Sequence, residues 1–120
     1  MSGFSPAVRR LVFNRAGGCC EVCGREITDG VPRSLHHRRP RGMGGSKRPE
    51  TNGAANALLV DGDGVAGCHG WIESHRTEAL ELGLLVPQGR IPADVPVTLL
   101  AGVVLLDDYG NYVPTEGQAA

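Results

Sequence analysis

Cys20-Glu21-Val22-Cys23, flanked by glycine and answered far downstream by Cys68, limits what this chain can fold into more than any other feature. A Cys-x-x-Cys pair on a tight turn has the geometry of a zinc knuckle, which brings two thiolates to one tetrahedral ion. The chain needs such a staple. Its 120 residues include 18 glycines and only 4% aromatic residues, so one domain can bury no more than a modest apolar core. Whether four cysteines mean disulfides or metal ligands turns on the compartment. The opening MSGFSPAVRRLVFN has no apolar run of signal-peptide length, and no later segment reaches membrane-spanning length. The expectation is therefore a cytoplasmic protein with no membrane association, whose cysteines are metal ligands or free thiols.

Cys20, Cys23 and Cys68 leave one vertex of a tetrahedral site open. Asp61 and His69 are both candidates for it, and Cys19 could replace Cys20 by a one-residue shift. A second constellation is rich in histidine. The stretch LHHRRPRGMGGS (35 to 46) sets His36 and His37 side by side, so on an extended segment their side chains point in opposite directions. One can ligate a metal while the other, neutral near pH 7, takes a proton from water. His69 and Glu73 stand four apart on an expected helix, hence on one face, and can supply two further ligands. His75 falls on a different face of that helix.

Net charge is −1, which gives no global signature of nucleic-acid binding, but the distribution is uneven. Arg33, Arg38, Arg39, Arg41, Lys47 and Arg48 fall in a stretch without an acidic residue, whereas the chain after Glu73 is largely acidic. One basic face on a near-neutral molecule suits a polyanion docking at a single place.

The chain reads as one domain over residues 1–120. Ser5 as N-cap, Pro6 at the first position, a stripe of Val8, Leu11 and Val12, and a stop at Gly17-Gly18 predict an N-terminal helix. Residues 42 to 56, GMGGSKRPETNGAAN, form a long polar loop of functional character. Residues 68 to 82 have a helical pattern with Ile72, Ala79 and Leu80 facing inward and Gly83 ending it. LLVPQG and PVTLLAGVVLLDDYGNYVP read as short strands, the latter as a hairpin in a C-terminal extension over about 91–115. Residues 116–120 should fray.

In combination and in order, CEVCG (20 to 24), LHHRRPRGMGGS, the step Asn56-Ala57-Leu58-Leu59 and GCHGWIESH (67 to 75) resemble the HNH endonucleases, the ββα-metal nucleases. The likeness spans residues 5 to 86 and is closest to small HNH proteins of actinobacterial phages and their hosts. It implies an α+β fold: a zinc-stabilised, treble-clef-like ββα-metal core with an N-terminal helix and a C-terminal β-hairpin. It also implies that His36 binds the catalytic divalent ion, that His37 is the general base, and that Asn56 holds the metal-site loop and orients the base. The motif's last histidine is His69, with His75 as the rival. Two positions depart from the family pattern. Asp61 stands where similar proteins have a fourth cysteine, and Glu73 stands where relatives often carry a histidine, which shifts preference toward Mg²⁺ or Mn²⁺, with Zn²⁺ or Ni²⁺ also admitted.

The expected reaction is hydrolysis of a DNA phosphodiester, with His37 deprotonating the attacking water and Arg38, Arg39, Arg41, Lys47 and Arg48 holding phosphates. No element plainly reads base edges, so low sequence specificity is expected. The alternatives are a zinc-stabilised module that holds DNA without cutting it, or a nuclease active only with a partner such as terminase subunits in phage DNA packaging.

Overall fold

Helix α1 (Pro6–Ala16) begins where a hydroxyl and a proline dictate. Ser5 Oγ accepts the Val8 N–H at 3.2 Å, and Pro6 occupies the first turn, where its missing N–H has no partner to lose. The helix ends at Gly17, whose φ of 64° suits glycine and whose N–H closes onto the Asn14 and Phe13 carbonyls. Val12 is fully buried, with Val8 and Leu11 packed alongside. The structure is a computed structural model that describes residues 3–40 and 48–115. Arg41, Lys47 and most of the glycine-rich part of the expected loop, together with the expected frayed tail, lie outside the described residues.

Past α1 the chain turns through the cysteine knuckle, where Cys20 N–H donates to the Arg25 carbonyl and Gly24 N–H to the Cys20 carbonyl, both at 2.8 Å. Strand β1 (Arg33–His37) then pairs antiparallel with β2 (Ala57–Asp61), with Arg33 opposite Asp61 and His37 opposite Ala57. All five residues of β2 are buried, without alternation, because the strand packs against α1 as well as the following helix. Residues 49–52 and 54–56 form two short 3₁₀ turns ahead of β2.

After β2 the chain turns sharply at Gly62, whose φ is 87°, into helix α2 (Gly67–Ser74). The single helix expected over 68 to 82 is two: α2 and α3 (Arg76–Glu81) meet at His75, whose ψ of 55° leaves the helical region. Ser74 supplies a cause, its hydroxyl donating back to the Gly70 carbonyl at 2.9 Å, a local bond that bends helices. The break rotates the second segment, so Ile72 and Ala79 are buried as expected while Leu80 is 46% exposed.

The C-terminal expectation needs two corrections. LLVPQG is not a strand: Leu84 and Leu85 are buried in irregular chain, their N–H groups donating to the Ala79 carbonyl while Val86 N–H donates to the Arg38 carbonyl. The expected hairpin is a three-stranded antiparallel sheet of β3 (Val97–Leu99), β4 (Gly102–Leu106) and β5 (Tyr112–Pro114). Val97, Leu99, Val104 and Leu106 join Val12, Leu58, Val60 and Ile72 in one core, so this extension completes the domain. The described residues form an α+β arrangement of three helices and two small antiparallel sheets, with no helix long and apolar enough to cross a membrane.

Candidate metal centres and their cleft

The knuckle, the end of β2 and the first turn of α2 converge on one cluster. Ligand atoms of Cys20, Cys23, Asp61 and Cys68 all lie within 4.8 Å of one another, a set of three soft donors and one hard one that can hold a metal such as zinc. Asp61 is the fourth member of the group, where the sequence left Asp61 and His69 as candidates, and Cys19 is outside it, its thiol donating to the Gly17 carbonyl at 3.6 Å. Burial raises the Cys20 and Cys68 thiols above their ordinary range, and the Asp61 carboxylate adds to the rise at Cys68. A bound cation would reverse that, since it binds the thiolate and releases the proton. Burial also works to raise the Asp61 carboxyl. It is outweighed by the Cys68 N–H donating to Oδ1 at 3.0 Å, by the neighbouring thiols and by Arg25, so Asp61 lies below its ordinary value.

The second cluster lies one residue away. Cys68 belongs to the first and His69 to the second, where His36, His69 and Glu73 also bring ligand atoms within 4.8 Å of one another. Each histidine has its tautomer set by an outer hydrogen bond. His36 Nε2–H donates to the Leu84 carbonyl at 2.9 Å, leaving Nδ1 with the lone pair. Ser34 Oγ donates to the Gly62 carbonyl at 3.0 Å and so accepts from His69 Nδ1–H at 3.0 Å, leaving His69 Nε2 as the ligand atom, 3.8 Å from Glu73 Oε2. Burial lowers the His36 pKa to about 4, with the Leu84 hydrogen bond opposing, so the ring is neutral and available as a ligand at pH 7. Glu73 is shared with Arg76, whose Nη1 donates to Oε1 at 2.9 Å.

His75 is not part of this group. It stacks on Trp71 with centroids 4.7 Å apart and bonds to Ser74 and the Trp71 carbonyl. Among the described residues, His69 is the helix histidine that reaches the cluster.

His37 leaves β1 on the opposite side from His36, as adjacent strand residues must, yet both line one open cleft of ≈ 340 Å³ together with Leu35, His69, Glu73 and Arg76. His37 packs against Phe4, ring centroids 4.0 Å apart and 18° from parallel, and its Nε2 lies 2.8 Å from Asn52 Oδ1. No family model, curated protein or solved structure matches this chain. What the cleft can do is therefore argued from its own chemistry.

Asn56 is fully buried and clamps the segment that follows the histidines. Its Oδ1 accepts the Arg39 N–H at 2.6 Å, and its Nδ2 donates to the Arg39 and Thr51 carbonyls at 3.1 and 2.8 Å. The two arginines after His37 are a correction to the sequence reading, which had them holding phosphates. Arg38 is fully buried, its guanidinium donating to the carbonyls of Gly83, Ala55, Pro92 and Val95 at 2.8–3.0 Å. Arg39 is equally enclosed, on the Arg90 carbonyl, Glu50 and Thr51. Neither side chain presents its charge to a ligand in solution. Burial lowers the Arg38 guanidinium to about 9, still cationic at neutral pH. Arg48 remains exposed, with Nη1 on the Gln88 carbonyl at 2.6 Å, and Gln88 in turn donates to Pro40 on the cleft wall.

Two groups at work here were invisible to motif reading. Asn52 had no spacing to single it out. Glu21, inside the Cys-x-x-Cys pair, is buried in a two-point pair with Arg15 at 2.8 and 2.9 Å. The same carboxylate accepts from Tyr112 Oη and Leu59 N–H, each at 2.8 Å, which ties the knuckle to β2 and β5.

Proposed function

We propose that this protein is a metal-dependent DNA endonuclease of the HNH, ββα-metal type, acting with low sequence specificity. The observation that carries this reading is the cleft itself: His37 lines the same wall as a three-residue donor set built from the neighbouring His36 and from His69 and Glu73. The order β1, β2, α2 around that donor set is in keeping with a ββα-metal core, and the cysteine cluster with its structural zinc.

The donors fit a divalent ion that accepts mixed nitrogen and oxygen ligands: both imidazoles are held in a ligating tautomer, which suits Mn²⁺, Zn²⁺ or Ni²⁺, and the hard oxygen of Glu73 also admits Mg²⁺. Such an ion would act as a Lewis acid on the phosphate and stabilise the charge that develops on the leaving oxygen. His37 takes the proton of the attacking water, a role typically worth about 10²–10⁴-fold. Asn56 keeps the chain after His37 in place, and Arg38 and Arg39 pin the same segment from below. Phosphate contacts then fall to exposed cations at the rim, Arg76 on the cleft wall and Arg48 beside Gln88 and Pro40, and each should add to the salt dependence of binding. Arg41 and Lys47 follow in sequence and are assigned to the same task. The setting that fits the resemblance is the host cytoplasm during phage DNA processing, with terminase subunits as partners.

The test is cleavage of supercoiled plasmid by purified, zinc-loaded protein with Mg²⁺, Mn²⁺ or Zn²⁺, beside folded His37→Ala. Nicking or linearisation by wild type alone supports the reading. Equal cutting by both removes His37 from the mechanism, and DNA retardation without cutting by either moves the protein to the class of binding modules.

A further inference from the structure

His37, on the cleft wall, makes a contact that neither the metal donor sets nor the base assignment uses, the 2.8 Å approach of its Nε2 to Asn52 Oδ1. The geometry points to Asn52 as the positioning residue of the reacting histidine, its side-chain oxygen fixing His37 in the tautomer whose lone pair is on Nδ1. A carboxamide oxygen only accepts, so the facing imidazole nitrogen must carry the proton. A neutral imidazole has one such N–H, and the basic nitrogen is then the other one.

Two further features make the contact directional. Phe4, buried at 6% exposure, stacks on the His37 ring 18° from parallel and so restrains the ring plane. The Phe4 carbonyl is itself held by Arg9 Nε at 3.2 Å. On the other side, Asn52 ends the turn Pro49–Asn52, which Thr51 N–H to Arg48 O and Gly53 N–H to Glu50 O hold closed, both at 3.2 Å. Stacking alone leaves the ring able to flip over about its Cβ–Cγ bond, which would put a carbon where each nitrogen stands, and leaves the proton free to sit on either nitrogen. A fixed acceptor at one nitrogen removes that freedom, so the base meets water with the same atom in every turnover. The same logic operates on His36 and His69, whose outer partners Leu84 O and Ser34 Oγ select their ligating nitrogens.

The function of this contact rests on the nuclease reading, whereas the tautomer does not, so the experiment reads them separately. ¹⁵N-edited NMR of the zinc-loaded protein, with His37→Ala for assignment, should show His37 with Nε2 protonated and that N–H protected from exchange with water. Protection should persist in Asn52→Asp, which keeps an oxygen acceptor, and vanish in Asn52→Leu. In plasmid cleavage, Asn52→Leu should lower kcat roughly 10–100-fold, the usual effect of losing an outer partner, with KM and zinc content unchanged, and Asn52→Asp should restore most of it. A wild-type ring protonated at Nδ1, or protection that survives Asn52→Leu, overturns the assignment of the tautomer. Equal kcat in wild type and Asn52→Leu, or failure of Asn52→Asp to rescue, overturns the positioning role. If wild type shows the protected Nε2–H but cuts no DNA, the nuclease reading falls and the hydrogen bond stands.

Discussion

Replacing Arg38 by methionine separates two opposite accounts of the basic run after His37. Methionine keeps an unbranched stem in the same space and removes the guanidinium with its four carbonyl contacts. Each buried carbonyl left without a donor costs about 1–3 kcal/mol. Against that, the substitution releases the cost of burying a charge that no carboxylate touches directly, a cost visible in the lowered guanidinium pKa. Balancing the two, the expected net loss is about 3–5 kcal/mol, the range measured when one partner of a buried charged network is removed. A domain of this size has roughly 5–15 kcal/mol in total. At about 4 °C per kcal/mol the melting temperature of the zinc-loaded protein should fall by roughly 10–20 °C. Urea unfolding followed by circular dichroism measures this directly. A residue that meets phosphate at the surface behaves otherwise: its loss leaves stability within about 0.5 kcal/mol and removes close to one unit from the slope of log K against log salt. Finding that second pattern in Arg38→Met would refute the structural role argued here.

Three more outcomes follow from the contacts described above. Glu21→Gln should destabilise by about 3 kcal/mol in urea, because it leaves the buried Arg15 cation without its carboxylate and weakens the anchor shared with Tyr112; a loss below about 0.5 kcal/mol would mean the pair is replaceable. Asp61→Cys should tighten zinc at least roughly tenfold in competition with a chelator, since thiolate is the softer ligand; weaker binding would show that the Cys68 N–H contact to Asp61 matters more than donor type. His75→Ala should leave divalent-ion binding at the cleft within about twofold, whereas His69→Ala should weaken it roughly 10–100-fold, as read by Mn²⁺ titration with electron paramagnetic resonance; the reverse order would mean the wrong helix histidine has been assigned.

The legible parts of this protein are those fixed by local chemistry. Ser5, Pro6 and Gly17 state where α1 starts and stops, and the alternation of a strand sends His36 and His37 to different sides whatever surrounds them. The membership of the cysteine cluster was narrowed to a few alternatives by spacing, and three dimensions chose Asp61 over His69 and Cys20 over Cys19. The arginines misled because a run of charge without counter-charge looks solvated in one dimension. Nothing in the sequence says that carbonyls from residues 55, 83, 92 and 95 will close around one guanidinium. Leu80 failed for a related reason: its periodicity was counted through His75, and a single back-bonded serine rotates the register beyond it. Asn52 was silent because a hydrogen bond across fifteen residues leaves no periodic trace.

The two clusters share a mechanical origin. Cys68 and His69 are consecutive in the first turn of α2, one turned toward the thiols and the other toward His36. Asp61 ends β2, accepts the Cys68 N–H, and lies opposite Arg33 at the start of the strand that carries His36. The Cys68 N–H bond to Asp61 therefore fastens the start of α2 to the end of β2, a metal on the cysteine cluster would tighten that junction, and the junction sets where His69 and, one turn later, Glu73 stand relative to His36. Just beyond His37, Asn56, Arg38 and Arg39 hold the end of β1 by hydrogen bonds instead of apolar area. A chain with so few aromatic side chains cannot build that rigidity from packing alone. Its cleft is positioned by directional contacts, and these fail differently from packing. A deleted methylene lets neighbours relax by degrees, whereas a deleted donor leaves buried carbonyls unpaired at once. Substitutions at Asn56, Arg38 and Asp61 should accordingly move the cleft more than the loss of a single methyl group from Val12 or Ile72, although all five residues are buried.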